Sequence, residues 1–162
     1  MSKADQLIES LGLVAHPEGG YYRELYRSDE TVNTANGTRN LMTSIYFLLR
    51  KGERSHFHRI KSDEHWYFHA SGTLLLHEIS ADGKLSSVRI GGDLANGDRL
   101  HYCVKAGHWF GSEPIEGDFV LVSCAVAPGF DFQDFELAKA EELKQILPGH
   151  DAFLTRMCLP TD

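Results

Sequence analysis

Cysteine is scarce in this chain, and what there is does not pair. Cys103, Cys124 and Cys158 are odd in number, far apart and outside any CxxC spacing. That pattern excludes a disulfide framework and fits reduced thiols. Cys103 and Cys124 lie in apolar, strand-like runs and read as small core residues rather than nucleophiles. Long hydrophobic runs are also missing: nothing approaches the roughly 18 apolar residues of a membrane span, so a soluble protein with no membrane partner is expected. Basic residues are few, 16 against 23 acidic ones, for a formal net charge of −7. Without clustered Lys and Arg, nucleic acid is not an expected partner. The start, MSKADQLIES, lacks the basic, apolar and small-residue segments of a signal peptide, which predicts a cytoplasmic location. Internal repeats, low-complexity tracts and linkers are absent too. At 162 residues the chain can bury about two thirds of its unfolded surface in one core, and a single domain over 1–162 is expected.

What is present is mostly β-like. A short helix over about residues 3 to 11 follows from Leu7, Ile8 and Leu11 at helical spacing, with Gly12 as a left-handed stop. Tyr21 to Tyr26 is aromatic-rich and reads as a strand after the Gly19-Gly20 pair. A polar loop, DETVNTANGTRN, turns at Asn36-Gly37 and leads to the strand LMTSIYFLLR. Then come HWYFHA, TLLLHEI, SSVRIGG, RLHYCVKAG, HWFGSE and DFVLVSCAVA, separated by SG, ADGK, ANGD and IEGD. Short strands between Gly- and Asp-containing turns predict an antiparallel sandwich or barrel, all-β at its core. Beyond Pro128-Gly129, FELAKAEELKQIL carries Leu137, Leu143, Ile146 and Leu147 at helical spacing up to Pro148-Gly149, which predicts a closing C-terminal helix.

The richest chemistry lies in GERSHFHRIKSDEHWYFHASG, residues 52 to 72. On a regular strand His56 and His58 share a face with Cα atoms about 6.6 Å apart, and both rings can converge on one ion. If RIKSD turns the chain back, Glu64 rejoins them. Two histidines and a carboxylate suit Fe(II) with open positions, or zinc with water. The same residues also fit a solvated, histidine-rich sheet face, the reading that His65 and His69 receive on the opposite parity. Without a metal, the three groups would still perturb one another toward acid and base work near neutral pH.

Gly52, His56, His58, Glu64 and Gly72 resemble the first motif of the cupins, small jelly-roll barrels in which HxH and a glutamate line the interior. The spacings depart from it: three residues rather than five separate Gly52 from His56, and five rather than three or four separate His58 from Glu64. Lys105, Ala106, Gly107, His108, Trp109 and Phe110 stand where the second motif is expected, with Phe110 at the usual histidine ligand position. His108, two residues earlier, is the candidate substitute. HPEGGYYRE, SIYFLL, SHFHRIKSDEHWYFH, LHEI and PGFDFQDFELA together resemble one small cupin family of unassigned function across nearly the whole chain. The resemblance implies a single cupin-type double-stranded β-helix, a homodimer, and a divalent metal (Fe, Mn, Zn or Ni) on His56, His58, Glu64 and His108.

Strand parity adds pocket walls for a small-molecule ligand. Tyr21 and Arg23 share one face, Ser44 and Tyr46 another, and Trp66 follows Glu64. Arg23 could clamp a carboxylate or phosphate, and Glu18, in PEGG, could orient a hydroxyl at the barrel mouth. Three functions stay open. One is an isomerase, epimerase or lyase acting on a sugar derivative or keto acid, with His56 or His58 as base and Tyr46 or Glu64 returning the proton. The others are a non-catalytic or structural cupin and an Fe(II)-dependent oxygenase.

Overall fold

The computed structural model describes residues 1–160. Helix α1 (Lys3–Leu11) starts on a capping box between Ser2 and Asp5 and stops at left-handed Gly12, as the sequence predicts. Strands β1 (Val14–Ala15) and β2 (Tyr21–Arg27) follow. The segment expected as a polar loop is instead a hairpin, β3 (Thr31–Thr34) and β4 (Gly37–Asn40), closed at Ala35-Asn36. Its Thr- and Asn-rich strands lie in no core, so they carry no hydrophobic alternation to reveal them.

Strands β5 (Thr43–Arg50) and β6 (Ser55–Arg59) lead into two very long strands, β7 (Asp63–Ile79) and β10 (Trp109–Ala127), with β8 (Leu85–Ile90) and β9 (His101–Val104) between them. SG and IEGD, which read as turns, are kinks inside β7 and β10. At one kink Ser71 adopts φ 77°. A Cβ on the adjacent Gly72 would fall 1.7 Å from the Glu116 carbonyl oxygen on β10, so only glycine lets the two backbones touch there. Because both strands bend at the same level, each serves two layers. The first half of β7 pairs with β9 and the second half of β10, which pairs in turn with β5, β2 and β1. The second half of β7 pairs with β8 and the first half of β10, whose other neighbour is β6. Among the described residues the result is one curled antiparallel sheet of nine strands, a jelly-roll barrel.

The expected C-terminal helix is shorter than its periodicity suggests. Leu137 belongs to strand β11 (Glu136–Leu137), which pairs with β6. Helix α2 (Ala140–Ile146) follows, and a further helix, α3 (Asp151–Met157), forms past Pro148-Gly149. The barrel interior is filled by Phe47, Trp66, Leu74, Leu76, Phe110 and Val122. Outside it, α2 and α3 bury Leu143, Leu154 and Met157 against Phe57 and Trp109, while α1 covers Leu48, Phe119 and Leu121. Each such side chain contributes roughly 1.5–3 kcal/mol on leaving water. No helix among the described residues is long and apolar enough to cross a membrane.

Candidate functional site

A cavity of about 180 Å³ opens at one end of the barrel. Its floor is the inward parity of one layer: Tyr22 and Glu24 from β2, Thr43, Ile45 and Phe47 from β5, Glu64 and Trp66 from β7, and Cys124 and Val126 from β10. His58 enters from β6, and His16 and Glu18 come from the lead-in to β2. Phe130, Phe132 and Phe135, on the loop after β10, form an aromatic roof.

His58, Glu18 and His16 form a chain inside, and Glu64 faces it. His58 places Nδ1 2.7 Å from the His56 carbonyl oxygen and Nε2 2.7 Å from Glu18 Oε2. Both partners are acceptors, so both ring nitrogens donate and the ring is an imidazolium. Burial opposes that charge, but the Glu18 carboxylate outweighs burial and raises the His58 pKa. Burial likewise favours a neutral Glu18, and the charge of His58 overcomes it to hold that carboxyl below its ordinary value. His16 Nδ1 accepts the Glu18 backbone N–H at 3.1 Å, leaving Nε2–H as the ring's donor. Burial lowers the His16 pKa and keeps it neutral near pH 7.

Glu64 lacks such a partner. Its Oε2 accepts the Trp66 indole N–H at 3.0 Å. Burial is the main cause that drives its pKa up to about 7, with the nearby Glu18 charge adding and His58 opposing. A carboxyl poised there gives and takes protons with equal ease at neutral pH.

Among known proteins, the family model described as Cupin superfamily (DUF985) matches residues 5–138. The chain belongs to the cupin superfamily. The uncharacterised protein YML079W of Saccharomyces cerevisiae is 34% identical to this cupin, over 90% of this chain and 81% of the yeast protein. Among solved structures, protein SO0799 from Shewanella oneidensis is 45% identical, with a TM-score of 0.91 over 99% of this chain and 100% of that one. A hypothetical protein from Leishmania major is 37% identical, with a TM-score of 0.91 over 98% and 100%.

The cupin cavity gathers some of the residues singled out in the sequence and not others. Glu18, Ser44, His58, Glu64 and Trp66 line it. His56 does not, because β6 bulges: Ser55 faces Ser112 and His58 faces Phe110, so three steps on one strand match two on the other. Phe57 and His58 are therefore both buried, and His56 turns its Nδ1 to the Glu18 carbonyl oxygen at 2.6 Å. Glu64 meets His58 across the barrel from the other layer, not along a hairpin as RIKSD suggests.

Tyr21, Arg23 and Tyr46 take the outer parity of their strands. Tyr21 and Tyr46 pack against the cluster that α1 covers, and Arg23 donates to the Leu11 carbonyl at 3.1 Å. His108 is held by Glu78 at 2.7 Å, and Glu78 also accepts from Tyr102. Phe110 lies between that cluster and the cavity, in register with Glu78 on one side and His58 on the other, its ring 4.1 Å from that of His58. At the level where the second cupin motif carries its histidine, this cupin has a hydrocarbon ring. The four expected metal ligands are thus dispersed, and no group of three or more His, Cys, Asp or Glu is arranged to hold a metal among the described residues.

Sequence reasoning missed His16, Tyr22, Glu24, Arg27 and the roof phenylalanines. HPEGG places His16 two residues before Glu18, and FDFQDF concentrates aromatics beyond the last long strand; both were available signals.

Proposed function

We propose that this cupin catalyses proton transfer next to a carbonyl, as an isomerase, epimerase or lyase of small molecules, with Glu64 as the proton-transferring group. The carrying observation is the Glu64 carboxyl buried against Trp66 and facing the cavity, where burial drives its pKa up to about 7. As carboxylate, Glu64 takes the proton from the carbon beside the carbonyl, and the C–H electron pair moves into an enolate. As carboxylic acid, it returns that proton to carbon. The neutral imidazole of His16 supplies an N–H for the enolate oxygen, and the Glu18–His58 ion pair forms the wall beside it. The donor arrangement does not fit a bound metal: both His58 nitrogens are taken, by the His56 carbonyl and by Glu18, and His56 and His108 stand outside. No step is assigned to one.

The test is hydrogen–deuterium exchange at the carbons beside the carbonyl of small ketones and aldehydes, followed by NMR in D₂O. Wild-type protein accelerates exchange over buffer, and Glu64→Gln loses about 100-fold or more of that acceleration. Exchange that survives in Glu64→Gln rejects the role. A ligand that binds without exchange makes the barrel a binding module instead.

A further inference from the structure

The ligand class can be narrowed further by following where the positive charge of the cavity goes. Among the described residues two cationic side chains line it, Arg27 and His58, and each already faces a carboxylate. His58 is 2.7 Å from Glu18. Arg27 donates to Glu24 Oε1 through Nε at 3.1 Å and Nη2 at 2.6 Å, and through Nη1 to Asn40 Oδ1 at 2.8 Å and the Phe130 carbonyl at 3.0 Å. Four of the five guanidinium donors are therefore engaged within the protein. Three carboxyls line the same space, Glu18, Glu24 and Glu64. Whether Glu64 holds its proton or not, the lining carries a net charge of zero or minus one, never a positive one.

Elsewhere hydrocarbon and aromatic side chains such as Ile45, Phe47, Phe130, Phe132 and Phe135 predominate, beside the uncharged polar groups of His16, Tyr22, Thr43 and Ser44. Arg23, the anion clamp expected from the sequence, faces away and donates to the end of α1. Glu24 and Arg27 are solvent-exposed, whereas Glu18, His58 and Glu64 are buried; a carboxylate or phosphate reaching that buried end would give up its water and meet no free cation among the described residues, which a buried charge does not tolerate. An uncharged ketone or aldehyde needs only one or two hydrogen bonds and fills the rest with apolar contact. We infer that this cavity selects uncharged carbonyl compounds bearing an apolar or aromatic group and rejects keto acids and phosphorylated sugars. The carbonyl in that statement rests on the proton-transfer reading above; the exclusion of anions rests on the charge pairing alone.

The test uses matched sets of compounds, each a methyl ketone, its 2-oxo acid and its amine, built on isobutyl, cyclohexyl and phenethyl groups. Affinities are measured at pH 8 by ligand-observed NMR. The ketone is expected to bind at least about a hundredfold more tightly than the oxo acid of the same skeleton, the scale of an unpaired buried charge. Glu24→Gln frees Arg27 and makes the lining one charge more positive, and should improve oxo-acid binding at least about tenfold.

An oxo acid or amine that binds more tightly than its ketone overturns the inference, as does a set in which no member binds. An unchanged oxo-acid affinity in Glu24→Gln overturns it as well, since paired charge would then not be the selector. Anion binding that disappears after EDTA treatment assigns the positive charge to a metal and overturns it too. Exchange at the ketone carbons, read in the same samples, separates this inference from the reaction. Ketone preference without exchange supports the inference and rejects the reaction; exchange with oxo-acid preference does the reverse.

Discussion

Glu64 keeps its proton at a pH where a solvated carboxyl has lost it, and this affects stability as well as chemistry. With a folded pKa of about 7 against an ordinary 4.5, the folded state binds more protons than the unfolded chain between those values. Stability from this group is full below about pH 4.5, falls as pH rises, and is gone above about 7. Glu64→Gln lacks that dependence. From pH 5 to pH 8 the wild type should lose about 2 kcal/mol of unfolding free energy relative to Glu64→Gln, measured by urea denaturation at both pH values. A constant difference would mean that Glu64 is already ionised at pH 5. The motif made Glu64 and His58 legible in the sequence. It misplaced His56, because alternation along HFH assumes a regular strand, and the bulge at Ser55–His58 breaks it.

Among elements, the paired kink in β7 and β10 matters most for the site. It lets the β7 strand that carries Glu64 and Trp66 continue, past Ser71 and Gly72, into the other layer. Gly72→Ala forces a Cβ onto the Glu116 carbonyl, and the neighbour is backbone that cannot swing aside. The cost should be about 3 kcal/mol or more, seen as a large drop in urea midpoint or as insoluble protein. A cost below about 1 kcal/mol would show that the kink relaxes freely. Short strands were legible here from their composition, but their joining was not, since a glycine at a turn and a glycine at a backbone crossing read alike. On β2 and β5, inner and outer parity were also ambiguous. Helix α1 covers the outer face of β5, so both faces of SIYFLL are apolar, and the alternation that would tell Tyr22 from Tyr21 is lost.

Across the molecule, the roof of the cavity is fastened by contacts distant in sequence. Arg39, in the β3–β4 hairpin, binds both carboxylate oxygens of Asp134 at 2.8 Å, and Arg27 holds the Phe130 carbonyl. Between these ties Phe132 stays 52% exposed over the opening, so the loop depends on its ends. Arg39→Met should lower the melting temperature and admit protease cleavage between residues 128 and 136, where the wild type resists, as identified by mass spectrometry of the fragments. Equal resistance in both proteins would assign the order of the roof to aromatic packing alone.

By itself, the sequence determined the β class, helix α1, the cupin resemblance, and the choice of His58, Glu64 and Trp66 as residues of a barrel interior with Glu18 at its mouth. These follow from local composition and short spacings, which act through neighbours in the chain. Only the tertiary structure decided that His56 leaves the cavity, that Phe110 stands between His58 and His108, that Arg27 and His58 each spend their charge on a glutamate, and that Glu64 is held by the neutral Trp66 indole rather than by a cation. Each depends on contacts between residues tens of positions apart. Burial and charge pairing are properties of the packed interior, and no stretch of the chain carries them before it folds.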